Sequence, residues 1–215
     1  MRAQVMVLWT GCVALAAGVS GCAGADGGYS DEEATAQVEL AQKKKPRKRN
    51  KLEADIIDSA GNAIGSYTFK DADGRRNTPG ILVTARVSGL TPGFHGTHLH
   101  ANNDPANGEG CVAPAFTSTD GHLNPEGNVH GDHAGDLPVL MIGEDGTGFL
   151  SFITDRVTLD EIDGTAVIIH ALPDNFHNIP VGPNADQYTP NSDAATALTD
   201  GTGNAGARVG CGVIE

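Results

Sequence analysis

From residue 52 onward the chain is built of short apolar runs broken by turn-forming residues. Ile81, Val83, Ala85 and Val87 alternate with more exposed types, the two-residue period of a half-buried strand. Runs at 52–58 and 63–69 flank Ala60-Gly61-Asn62 and predict a hairpin. Runs at 137–142 and 147–153 flank Glu144-Asp145-Gly146 and predict a second one. Further runs at 94–100, 166–170 and 208–214 bring the total to about eight short strands. No long amphipathic helix stands out, and the fold class expected is all-β. Two long stretches, 101–136 and 171–206, carry no strand pattern. Irregular segments of that length inside a compact domain point to function.

Ahead of this domain the pattern changes twice. Arg2 precedes a largely apolar run over 5–18, too short to span a bilayer comfortably. The run ends in Val19-Ser20-Gly21-Cys22, which resembles a bacterial lipobox, so 1–21 is expected to be a signal peptide and Cys22 an acylated N-terminus. An ordinary cleaved signal with an incidental cysteine is the plainer alternative. Residues 22–51 then form a polar linker, acidic at Asp31, Glu32 and Glu33 and basic from Lys43, and the domain is expected to occupy 52–215. The layout predicts export to the cell envelope or periplasm, with the membrane held through the N-terminal lipid. Of the four cysteines, Cys12 leaves with the signal and Cys22 takes the lipid. Cys111 and Cys211 remain, and an oxidising compartment favours their pairing.

Charge narrows the class of partner. Seven of the 14 basic residues lie in 43–51, whereas 91–215 holds 17 acidic residues against Arg156 and Arg208. Nucleic acid is not expected, because that acidic domain would repel phosphates. The basic cluster is either a solvated tether or a contact for anionic headgroups.

The candidate chemistry is carried by histidine. Seven of eight histidines fall between His95 and His170, five of them by His130. His98 and His100 share one face of a predicted strand, with Thr97 and Leu99 on the other. Two imidazoles so placed can share a metal, although such pairs are often simply exposed. His122, His130, His133 and Asp136 follow within 15 residues, and three imidazoles with one carboxylate make a tetrahedral zinc set. A solvated glycine-rich loop is the alternative. His170 closes the apolar run Ala166-Val167-Ile168-Ile169, where a histidine is usually structural.

Together these pieces resemble the copper,zinc superoxide dismutase family. The matching segments are Gly93-Phe94-His95-Gly96-Thr97-His98-Leu99-His100, Gly121-His122-Leu123-Asn124-Pro125, Gly135-Asp136-Leu137 and the run from Gly203 to Ile214 that contains Arg208 and Cys211. The resemblance covers roughly 52–214 and implies an eight-stranded Greek-key β-barrel or sandwich with two long functional loops. It implies a copper ion on His98, His100, His122 and His170, and a zinc ion on His122, His130, His133 and Asp136. His122 would bridge the two and carry a proton, Asp174 would orient a ligand of each metal, and Arg208 would hold superoxide beside copper. Cys111 and Cys211 match the family disulfide. His95 is expected to bond backbone in the barrel wall, and His177 to be an exposed loop residue. The second loop departs from the pattern, with no Lys or Arg from Asp174 to Gly203 and Gly201 where many members place lysine. Oligomeric state varies in the family, so a homodimer is an expectation without an interface in the sequence. A non-enzymatic copper or zinc carrier could use the same ligands, but it has no need of Arg208 or a bridging histidine.

Overall fold

Every one of the eight expected strands forms, within two residues of the predicted ends. The computed structural model describes residues 50–72, 79–176 and 193–215. The strands are β1 (Lys51–Asp58), β2 (Ala63–Asp71), β3 (Ile81–Val87), β4 (Gly93–His100), β5 (Asp136–Ile142), β6 (Gly148–Thr154), β7 (Ala166–His170) and β8 (Arg208–Val213). They close into an antiparallel barrel in the order β1-β2-β3-β6-β5-β4-β7-β8, β8 pairing with β1 through Ile57 and Cys211. The connections from β3 to β4 and from β6 to β7 therefore skip neighbours, which is Greek-key topology.

Side-chain alternation sets which face of each strand lies inward. In β1, Leu52, Ala54 and Ile56 are buried between exposed neighbours, and in β3 Ile81, Val83, Ala85 and Val87 point to the same core. In β4, Leu99 joins that core, so His98 and His100 stand on the outer wall by the two-residue period. β7 is buried throughout. Val167 and Ile169 fill the barrel, while Ala166 and Ile168 belong to a second cluster with Phe116 and Cys211. The first long loop thus lies over the outer face of β7 and β8, where Cys111 and Cys211 form a disulfide. Burial on both faces is what turns the outer wall of β4 and β7 into an interior.

The long stretches hold more regular structure than the apolar pattern predicts. A 3-10 turn spans Thr117–Thr119 in the first, and a ten-residue helix, α2 (Asp193–Thr202), lies in the second. A shorter helix, α1 (Leu159–Ile162), precedes β7 and opens on a capping box between Thr158 and Glu161. Helix α2 escapes a hydrophobic scan because its sequence DAATALTDGT offers few large apolar residues. The expected signal, Cys22 and the basic residues from Lys43 to Arg49 lie outside the described residues, as does His177.

The disulfide closes a loop of 100 residues of sequence. Cys211→Ser is expected to lower the unfolding free energy by roughly 2–5 kcal/mol, less if the unfolded chain stays compact. Urea unfolding of metal-free protein, with and without reductant, measures this. Reduction should bring the parent down to the variant.

Candidate metal centre

Four histidines converge on the outer wall. His98 and His100 come from β4, His170 from the end of β7 and His122 from the first long loop, whose backbone makes a bridge with His100. One ring nitrogen of each lies within 4.8 Å of the others, and all four residues are buried. The remaining ring nitrogens are held from outside. His98 Nε2 donates to Asp174 Oδ2 at 2.8 Å, His100 Nδ1 to the Asp120 carbonyl at 2.8 Å, and His170 Nδ1 to the Gly206 carbonyl at 3.0 Å. Those bonds fix the tautomers, leaving a lone pair on the inward nitrogen. His98 Nδ1, His100 Nε2, His122 Nε2 and His170 Nε2 are buried without a hydrogen-bond partner. A buried acceptor left so costs about 1–3 kcal/mol. Four converging imidazole lone pairs fit a transition-metal cation.

The second cluster shares His122. Its Nδ1 lies 3.1 Å from His133 Nδ1 and 3.0 Å from Asp136 Oδ1. His130 Nδ1 and His133 Nδ1 lie 3.2 and 3.3 Å from the same carboxylate oxygen. A tetrahedron with bonds of about 2.0 Å has edges of about 3.3 Å, so these separations suit one zinc-sized ion. The outer atoms are again occupied. Asp136 Oδ2 accepts N–H bonds from Gly131 at 2.6 Å and His133 at 3.0 Å, and His133 Nε2 donates to the Asn128 carbonyl at 3.1 Å.

One carboxylate joins the clusters. Asp174 Oδ2 takes the bond from His98, and Oδ1 lies 3.0 Å from His130 Nε2. Gly203 permits this approach: at φ +60°, any Cβ there would overlap both Asp174 Oδ1 and His130 Nε2. Arg208 stands at the other side, half-buried, donating to the Phe116 and Asp120 carbonyls and to Thr119 Oγ1 at 3.1 Å. Burial first, and then neighbouring charges that include Arg208, lowers the pKa of His100 and His170.

Three further residues matter. His95 bonds the His170 and Thr91 carbonyls at 2.6 and 2.9 Å, the wall position its strand predicts. Arg156, absent from the sequence-derived site, donates from Nη1 to the carbonyls of Gly131 and His133 at 2.9 and 3.1 Å. It clamps the loop that carries His130 and His133. Its signal was scarcity, as one of two basic residues after Thr91. Phe176 stacks on His130 with centroids 6.0 Å apart, a contact no motif announces.

The geometry defines a β-barrel with two adjoining groups of buried metal-type ligands, one of His98, His100, His122 and His170 and one of His98, His122, His130 and Asp136, with His133 Nδ1 3.3 Å from the same Asp136 oxygen. A model of the family described as Copper/zinc superoxide dismutase (SODC) matches residues 63–214. The chain is 42% identical over 168 residues to a Cu-Zn superoxide dismutase of Mycolicibacterium paratuberculosis, covering 72% of this chain and 69% of that protein. Among solved structures, a SOD-like protein from Bacillus subtilis is 27% identical in a double-mutant form, with a TM-score of 0.54 over 74% of this chain and 94% of that one. The clock protein EA4 is 26% identical, with a TM-score of 0.56 over 77% and 93%. The chain belongs to the copper/zinc superoxide dismutase family. The activity that this family and these histidine clusters support is dismutation of superoxide to oxygen and hydrogen peroxide.

Without metal the site titrates in two directions. Burial first, then neighbouring charge, lowers His122 to about 4 and His170 to about 3, from 6.5. Burial would lower His130 too, but Asp136 and Asp174 raise it to about 9. A lowered histidine contributes stability above pH 6.5 that is lost as acid protonates the unfolded chain first; His130 contributes below pH 6.5 and fades through pH 9. Metal-free protein should therefore be most stable near neutrality. On the acid side each lowered histidine costs up to about 1.4 kcal/mol per pH unit below 6.5. Urea midpoints in EDTA from pH 4 to 9 check this, and a profile rising steadily towards acid contradicts it.

Proposed function

We propose that superoxide dismutation occurs at a centre with copper on His98, His100, His122 and His170, and zinc on His122, His130, His133 and Asp136. The observation that carries the assignment is His122, which presents Nε2 to one buried cluster and Nδ1 to the other. When bound, copper supplies a one-electron redox couple, and zinc, being closed-shell, does not change oxidation state. The chain's own residues do the rest. Arg208 holds the superoxide anion through charge-assisted hydrogen bonds, with its guanidinium aimed by the Phe116 and Asp120 carbonyls. His122 Nε2, otherwise without a partner, takes and delivers a proton. Asp174 keeps His98 and His130 in register, so that the two pockets stay aligned.

Arg208 separates the enzyme from a mere metal carrier. In protein loaded with both metals, Arg208→Ala should lower kcat/KM by about ten- to a hundredfold, the loss of a charge-assisted contact, with copper and zinc content unchanged. Pulse radiolysis and metal analysis measure both. Unchanged turnover contradicts the dismutase assignment.

The reading extends to where the enzyme works. We place it in the cell envelope, exported by 1–21 and lipid-anchored at Cys22, so that the linker carries the domain beyond the membrane surface. The disulfide supports an oxidising compartment. Cys22→Ser should move the protein from the membrane fraction to the soluble one, as fractionation of expressing cells will show.

The proposed partner is a second copy. Phe94, Met141 and Phe149 are 55%, 59% and 55% exposed. They lie side by side, Phe94 opposite Met141 across β4 and β5, with Phe149 next after Gly148 at the start of β6. Arg86 covers the edge, its guanidinium carbon 4.6 Å above the Phe149 ring. An apolar stripe on a regular sheet face can bury itself against its own image about a two-fold axis. Sedimentation velocity should show a dimer, and Met141→Glu a monomer.

A further inference from the structure

The first long loop reaches the metal pockets through one residue with an unusual backbone. Asp120 has φ 63° and ψ −152°, a region left almost entirely to glycine. Glycine stands next to it, at Gly121, not at the strained position. What holds Asp120 there is its own side chain. Oδ2 accepts the backbone N–H groups of Asn103 at 2.7 Å and Asp104 at 2.8 Å, and Oδ1 accepts Asn107 Nδ2 at 2.8 Å.

The strained conformation has a consequence on the other side of the peptide. It turns the Asp120 carbonyl towards the site, where that one oxygen accepts both His100 Nδ1 and Arg208 Nη2. The first bond sets the tautomer that leaves His100 Nε2 facing the pocket. The second points the guanidinium. A relaxed backbone would withdraw the carbonyl from both groups at once.

We infer that Asp120 is a positioning residue: its carboxylate, anchored to Asn103, Asp104 and Asn107, aims its carbonyl so that His100 and Arg208 are oriented together. This rests on the copper assignment above, and links the ligand and the anion-binding residue that it names.

The test uses the full chain and three variants, with azide as an anionic probe of Cu(II) beside Arg208. Asp120→Ala should weaken azide binding about tenfold, as expected for one charge-assisted hydrogen bond, and shift the copper EPR hyperfine splitting. Asp120→Asn should stay within about twofold of the parent, because its amide oxygen can accept the same backbone N–H groups. In metal-free protein the slowly exchanging His100 Nδ1 proton, read by NMR, should persist in the parent and Asp120→Asn and disappear in Asp120→Ala. Should Asp120→Ala not fold, Asn107→Ala removes one anchor and should weaken azide two- to threefold. Parent-like azide affinity in Asp120→Ala or Asn107→Ala overturns the inference. So does an Asp120→Asn that behaves like Asp120→Ala. A parent whose copper signal lacks nitrogen ligation overturns the copper assignment instead, while the NMR comparison still judges the Asp120–His100 bond.

Discussion

His122 is the ring on which two clusters converge, and neither can relax without the other. Both of its nitrogens face buried polar groups, Nε2 towards His98, His100 and His170 and Nδ1 towards His133 and Asp136. Imidazoles at van der Waals range, their lone pairs directed inward, are poorly stable unless a cation stands between them. A bound metal would make that arrangement favourable.

The barrel makes such crowding possible. Its interior is filled by ordinary alternating apolar side chains, so the barrel core is built without the polar cluster. The histidines use the outer wall, which in an isolated barrel would face water. The first loop, pinned at Cys111 and sealed by Phe116 against Ile168 and Cys211, closes one side. Asp174, reached through Gly203, closes the other. Every metal-facing nitrogen of His98, His100 and His170 then has its opposite edge hydrogen-bonded to carboxylate or carbonyl oxygen, so ligand geometry is set before any ion arrives.

Charge is distributed to match. Arg156 and Arg208, the two basic residues of the acidic stretch from Thr91 to Glu215, are both turned onto loop carbonyls around the centre. Arg156 braces the segment bearing His130 and His133; Arg208 spans Phe116 to Asp120. Cations spent in this way act locally. Screening leaves little of the domain's overall negative field beyond a Debye length of about 8 Å at physiological salt, so on the proposed assignment the approach of an anion over the last few ångströms would fall to Arg208 and the bound metals.

Strand positions were legible in the sequence because period-two alternation is local, as 81–87 shows, and turn chemistry marks where it stops. The chain order of metal-type residues was legible too, since His98 and His100 share a strand face whatever the rest of the fold does. Tertiary structure alone decided that His170, 70 residues further on, meets them, because this needs β4 and β7 to be neighbours across a Greek-key crossover. It also decided the clamp of Arg156, the stacking of Phe176 and the turned carbonyl of Asp120. None of these has a periodicity or a motif: each is a contact between segments far apart in the chain, created only when the loops fold back onto the wall. A sequence specifies which groups are available and which way a strand presents them. Which groups share a lone pair's view of one point in space is a matter of closure.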